Sequence, residues 1–104
     1  MSPRIEKIIA MLQQSPSDCF LHHALALEYV KLGNDQNARQ HFESNLKNDS
    51  DYLATYYHLG KLLEREGETE QALAMYERGM QVAQKVKDNH TYNELQAAYD
   101  DLAY

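Results

Sequence analysis

The sequence predicts an all-α fold of about six helices. Three observations predict it. Apolar residues recur at steps of three and four along most of the chain, which is the spacing of one helix face. Only four Gly and two Pro occur in 104 residues, too few for the many turns of an all-β fold. Gly33 and Gly67 lie 34 residues apart, and the surrounding residues repeat with the same shift. The shift carries Leu25 onto Leu59, Ala26 onto Gly60, Tyr29 onto Leu63, Ala38 onto Ala72, Phe42 onto Tyr76 and Glu43 onto Glu77. Small residues fall on small ones, and large apolar residues on large apolar ones. The length suits one domain, residues 1–104, with a modest core.

The elements follow in order. A first helix runs within 3–15, about Pro3 to Gln14, and Pro16 follows it. Repeat one spans 19–52. Leu21, Leu25, Ala26 and Tyr29 form the apolar face of its first helix, which Gly33 ends. Asn34 and Asp35 suit a turn and an N-cap, and Ala38, Phe42 and Leu46 face inward on the second helix. Repeat two spans 53–86. Its first helix presents Tyr56, Leu59, Gly60 and Leu63, Gly67 breaks it, and Ala72, Tyr76, Met80 and Ala83 make the second face. The small pairs, Ala26 with Ala38 and Gly60 with Ala72, permit close antiparallel packing within each pair. A C-terminal capping helix over 88–103 carries Tyr92, Leu95, Ala98, Tyr99 and Leu102 at helical steps.

These residues resemble the tetratricopeptide repeat (TPR), whose pattern is aromatic-x2-Leu-Gly-x2-Tyr, then Ala-x3-Phe, then Pro. Repeat two reads Tyr56-x2-Leu59-Gly60-x2-Leu63 and Ala72-x3-Tyr76. Repeat one reads His22-x2-Leu25-Ala26-x2-Tyr29 and Ala38-x3-Phe42. His22 departs from the large apolar residue of the pattern, and Ser50 and Gln84 from its proline. The spacing from Ile8 to Pro16 matches that from the second-helix aromatic to the closing proline, so the first helix resembles the second half of a further unit. The resemblance implies a short right-handed α-solenoid of antiparallel helix pairs. Two repeats with flanking helices satisfy the need for roughly three units of stacking.

Composition and chemistry narrow the function. The net charge is −6, which disfavours nucleic acid as a partner. The charge is uneven, with five basic and six acidic residues in 1–50 against five and ten in 51–104. Glu6 and Lys7 interrupt the apolar stretch from Ile5 to Leu12, and no run is long enough to span a bilayer, so a cytoplasmic chain with no membrane partner is expected. The single Cys19 forms no internal disulfide; it reads as a small helix-start residue, although a helix N-terminus can lower a thiol pKa. His22 and His23 point about 100° apart on a helix, which is poor metal geometry. His22 reads as a partly buried structural residue, and His41 and His90 as surface residues. Glu64, Glu66, Glu68 and Glu70 surround the Gly67 turn and read as solubilising charge, with a capping contribution near Glu70. No metal, cofactor or catalytic residue is expected, and the chain is not read as an enzyme.

A protein-interaction module is the expected function. In the family the first helix of each repeat lines a concave face where peptides dock. The positions not used for packing are Phe20, His23, Ala24, Leu27, Val30 and Lys31 in repeat one. In repeat two they are Ala54, Tyr57, His58, Lys61, Glu64 and Arg65, with Tyr92 closing the row. The docking residues expected are therefore Phe20, His23, Leu27, Val30, Lys31, Tyr57, His58, Lys61, Arg65 and Tyr92. Leu27, Val30 and Tyr57 are apolar where solvent favours polar residues, and Lys31, Lys61 and Arg65 add positive charge for an acidic peptide or protein partner. The family's carboxylate clamp uses a Lys and Asn pair one turn apart; His23 and Leu27 hold those places and Lys61 takes an Asn place, so that version of binding is not expected. The alternative is a self-associating subunit pairing through its end helices. Asn93, Glu94, Gln96, Asp100 and Asp101 give the last helix a polar face, which favours a cap and a monomer over a weak homodimer.

Overall fold

The computed structural model describes residues 2–104, and six α-helices and no strand occur among them: α1 (Pro3–Gln14), α2 (Cys19–Lys31), α3 (Asp35–Asn48), α4 (Leu53–Arg65), α5 (Thr69–Val86) and α6 (Asn89–Ala103). None of these helices is long and apolar enough to cross a membrane. The chain divides into two compact units, one ending at Tyr52 and one spanning Leu53–Tyr104.

In the first unit, α2 packs against both α1 and α3. Pro3 starts α1, where its missing N–H costs no helix bond, and the Ser2 hydroxyl accepts from Arg4 N–H at 3.2 Å. The Asp18 carboxylate caps α2 by accepting from Leu21 N–H at 3.0 Å. Gly33 closes α2 at φ +76°, a left-handed conformation that suits glycine. Around it Asn34 N–H donates to the Tyr29 carbonyl at 2.9 Å and Gly33 N–H to that of Val30 at 3.0 Å. Asn34 then caps α3 by accepting from Asn37 N–H at 3.3 Å. Ile5, Leu25, Ala26, Ala38 and Phe42 are buried, while Leu46 is half-buried.

The second unit repeats this plan and adds a helix at its end, with α5 packed against both α4 and α6. Gly67 takes φ +77°, with Glu68 N–H on the Leu63 carbonyl at 2.9 Å and Gly67 N–H on that of Glu64 at 3.0 Å. The same bond pattern recurs after α5, where Asp88 N–H donates to the Ala83 carbonyl at 2.9 Å and Lys87 N–H to that of Gln84 at 3.2 Å. There the left-handed residue is Lys87, at φ 62°. Asp88 caps α6, accepting from Thr91 N–H at 3.0 Å and Thr91 Oγ1 at 2.8 Å. These two bonds hold its carboxyl below the usual carboxylate range.

Two glycines of this unit are required by close packing. A Cβ on Gly60 would fall 2.3 Å from the Tyr76 ring, so the side chain that Gly60 accommodates is that ring. A Cβ on Gly79 would fall 2.8 Å from Tyr56 Cβ and 2.9 Å from Leu95. Glu64 also departs from its reading as solubilising charge, since it accepts the Tyr76 hydroxyl and lies 3.5 Å from Lys61 Nζ. The N-cap of α5 is Glu68, with Glu70 in the first turn. Asn45, Thr55 and Leu62 are fully buried as well, which a one-face reading of each helix does not anticipate.

Candidate docking surfaces

Each unit has a cleft beside its first helix. In the first unit the cleft lies between α1 and α2, has a volume of about 210 Å³, and is lined by Arg4, Lys7, Ile8, Met11, Phe20, Leu21 and Ala24. Phe20 is the second residue of α2 and is 69% exposed; Met11 on α1 is 45% exposed. A folded chain normally hides such side chains, and two sharing one cleft make an apolar patch. Arg4 and Lys7 stand at its rim.

Cations near this cleft differ in how they are engaged. Arg4 Nε and Lys31 Nζ both donate to Glu28 Oε2 at 3.1 Å. Glu28 is buried, and the two cations stabilise its charge there. Lys31 is therefore engaged within α2, although it shares the single Glu28 carboxylate with Arg4. Leu27 and Val30 are half-buried. His23, expected on the docking face, is buried at 9% exposure, with its ring 5.7 Å from that of Phe42 and 5.5 Å from that of Tyr52.

In the second unit the cleft lies between α4 and α6, with a volume of about 410 Å³. Leu53, Ala54, Tyr57 and His58 line it from α4, and Asp88, Thr91 and Glu94 from the α6 side. Its aromatic groups are engaged with one another. Tyr57 meets His58 edge-on at 5.5 Å and Tyr76 at 6.5 Å, and Lys61 Nζ lies 5.7 Å above the Tyr57 ring. Burial pushes the His58 pKa down, against the opposing pull of Glu94. Arg65 is exposed at the end of α4. Tyr92 is half-buried on α6 and is not among the residues lining the cleft.

The residues that carry chemistry elsewhere are committed to packing. Burial, with Asp49 and Asp18, pushes the Cys19 thiol up, so it favours the protonated form rather than a thiolate. His22 faces His41 across α2 and α3, at 3.0 Å between their Nδ1 atoms. This corrects the reading of His41 as a surface residue: it is half-buried, stacked with His22 at 5.3 Å and Tyr29 at 5.8 Å. Among the described residues no group of three or more His, Cys, Asp or Glu is placed to hold a metal ion.

Met11 and Lys7 are not among the expected docking residues, because that expectation is drawn from the first helices of the repeats and not from α1. The expectation also omits Asp88, Thr91 and Glu94, which enter the second cleft from the α6 side. Helical spacing does place Thr91 and Glu94 on one side of α6, but the α4 surface they approach is not legible from spacing alone.

Comparison with known proteins agrees with this architecture. The tetratricopeptide repeat family model matches residues 55–89. A tetratricopeptide repeat domain protein from Salinibacter ruber, solved in solution, is 40% identical, with a TM-score of 0.80 over 84% of this chain and 88% of that one. A protein from Bordetella parapertussis is 29% identical, with a TM-score of 0.84 over 99% of this chain and 90% of that one. The TPR2B domain of yeast Sti1, in complex with pHsp70, shares the fold at 15% identity, with a TM-score of 0.89 over 95% of this chain and 79% of that one. No curated protein sequence matches the chain.

Proposed function

This chain belongs to the tetratricopeptide repeat family, and from that premise we propose that it is a protein-interaction module that docks a peptide or partner protein on the first helices of its repeats. The observation that carries this reading is Phe20, 69% exposed at the start of α2 beside the exposed Met11. Large apolar side chains grouped over a cleft are the usual anchors of a protein interface. Lys7 at the rim supplies a charge for an acidic partner, whereas Lys31 and Lys61 lie within ion-pair distance of Glu28 and Glu64. The α4 face adds Tyr57, His58 and Lys61 as a second, more polar contact region, and the half-buried Leu27 and Val30 of α2 and the exposed Arg65 of α4 complete the proposed contact set. His23 contributes to the fold of α2 rather than to contact. The chain is read as non-enzymatic, since Cys19, His22, His23 and His41 serve packing. The yeast Sti1 domain, which forms a complex with pHsp70, supports partner docking as a use of this fold.

Self-association through the end helices is the weaker reading. On α6, Asn93, Glu94 and Ala97 are exposed where the matching α4 positions, Leu59, Gly60 and Leu63, are buried. That face offers little apolar area to a further helix.

Partner capture from the native cell tests the reading. The wild-type chain should retain a defined partner, Phe20→Ala with Lys7→Glu should lose it, and helicity by circular dichroism should stay unchanged. Capture undiminished by those changes and by Tyr57→Ala with Lys61→Glu rejects the first-helix surfaces. Sedimentation that shows association of the chain with itself in the concentration range of the assay favours the second reading.

A further inference from the structure

We propose that His22 and His41 form a proton-operated clasp, which holds the α1–α2 turn and α1 against α2 and α3 near neutral pH and loosens them on acidification. His22 Nε2 lies 2.7 Å from the Pro16 carbonyl oxygen, in the turn that follows α1. A carbonyl only accepts, so this nitrogen carries the hydrogen. The neutral His22 ring then has a bare Nδ1, which accepts the Nδ1–H of His41 at 3.0 Å. One histidine thus ties the turn to α2, and the other ties α2 to α3.

The contact has room for one proton between the two rings. A first added proton can reside on the far nitrogen of His41, and the Nδ1–H···Nδ1 bond survives. A second must go to His22 Nδ1, where two N–H groups and two positive charges would face each other at 3.0 Å. The contact must then open.

Neither ring pairs with a carboxylate, since their hydrogen bonds run to each other and to the Pro16 carbonyl. The pair borders a cavity of about 500 Å³, to which α1 contributes Ile9, Leu12 and Gln13, the turn Pro16, and α2 Leu25 and Tyr29. Tyr29, stacked on His41, is the one titratable lining residue besides the pair, and no carboxylate lines the cavity. Asp18, one turn before His22, has its carboxylate on the N–H of Leu21. On α3 the nearest charged side chains, Arg39 and Glu43, pair with each other at 3.2 Å. Burial and then the His22 charge push the His41 pKa below its ordinary value, so the doubly charged pair is disfavoured in whichever order the protons arrive. A histidine whose pKa is lower folded than unfolded contributes stability above its unfolded pKa, near 6.5, and that stability is lost as the pH falls.

α1 is the element that responds, because two buried residues, Ile5 and Ile8, anchor it. It also carries Met11 and Lys7, so acid would weaken the first docking cleft. That consequence rests on the proposed function; the clasp itself does not.

The test uses the full chain alone. Amide hydrogen exchange in α1, corrected for the intrinsic pH dependence, should rise at least about tenfold between about pH 7 and about pH 5. NMR titration of the His41 Cε1–H signal should place its midpoint below the ordinary histidine range. His41→Gln keeps a hydrogen-bond donor and cannot gain a proton, so α1 exchange should lose its pH response. A His41 midpoint in the ordinary histidine range overturns the proposal. So does a pH response retained in His41→Gln. If that variant does not fold, the wild-type titration decides.

Discussion

The two units are built on one 34-residue pattern, yet they fill equivalent positions differently. In the first, Ala26 lies opposite Phe42 in sequence register, and Val30 occupies the next turn of α2. In the second, the corresponding residues are Gly60, Tyr76 and Glu64. The exchanges belong together. A tyrosine in the core brings a hydroxyl that must find an acceptor, and Glu64 provides it from the position that Val30 holds in the other repeat. Burial and the Glu64 bond then push the Tyr76 hydroxyl pKa far up, so it remains a donor. Gly60 provides the space, since any Cβ there would overlap the ring. Aligned position by position, Glu64 looks like a groove residue, but physically it is part of the Tyr76 site.

The clefts differ in a parallel way. Phe20 and Met11 have large apolar surfaces open to solvent, whereas Tyr57 and His58 already satisfy much of their contact with each other and with Lys61. The first cleft should therefore gain more from a partner than the second.

The strongest way to break this comparison is Gly60→Ala. Overlap with the Tyr76 ring costs about 2–3 kcal/mol and the better helix propensity returns about 1, leaving a net loss of about 1–2 kcal/mol in chemical denaturation. A stability unchanged or raised would mean that the Tyr76 ring moves aside freely, as in a repeat of the Ala26 type.

A double-mutant cycle sharpens the exchange itself. Glu64→Val alone strands the Tyr76 hydroxyl and should cost about 1–1.5 kcal/mol. Combined with Tyr76→Phe, which recreates the side chains of the first repeat, the loss should shrink below about 1 kcal/mol. Additive losses would show that the hydroxyl and the carboxylate are not coupled.

The smallest effect concerns the turns. Gly33 and Gly67 adopt φ +76° and +77° without penalty, while Lys87 adopts 62° with a side chain. Lys87→Gly should raise stability by about 0.5–1 kcal/mol, read as an increase in the denaturation midpoint. A loss would mean that the Lys87 side chain makes a contribution exceeding its backbone strain.

Much of this was legible in the sequence because it depends on helical period and on the two turn glycines. Leu21, Leu25 and Phe42, and likewise Leu59, Leu63 and Tyr76, stand at helical steps, and all are buried. The ends of the helices followed from Pro3, Gly33 and Gly67. What was not legible depends on pairs of residues distant in sequence. A lysine gives no signal that it will take a left-handed turn. His41 stands at the edge of the Ala38–Phe42–Leu46 face, three residues after Ala38, and spacing alone does not show that His22 and Tyr29 of α2 cover it. His23 stands among groove positions by spacing, but Tyr52, beyond the end of α3, reaches its ring. For docking, period distinguishes inward from outward residues, but it does not reveal that α1 would supply Met11 and Lys7 to the cleft beside Phe20.

If the partner docks chiefly through the cleft between α1 and α2, as proposed, Phe20 should be its strongest anchor. The most direct measurement is the affinity of the captured partner, by calorimetry, for the wild-type chain, Phe20→Ala and Tyr57→Ala side by side. Phe20→Ala should lose at least about tenfold in affinity, about 1.4 kcal/mol, and Tyr57→Ala should lose less. An affinity unchanged in Phe20→Ala, with the fold intact, would contradict docking through that cleft.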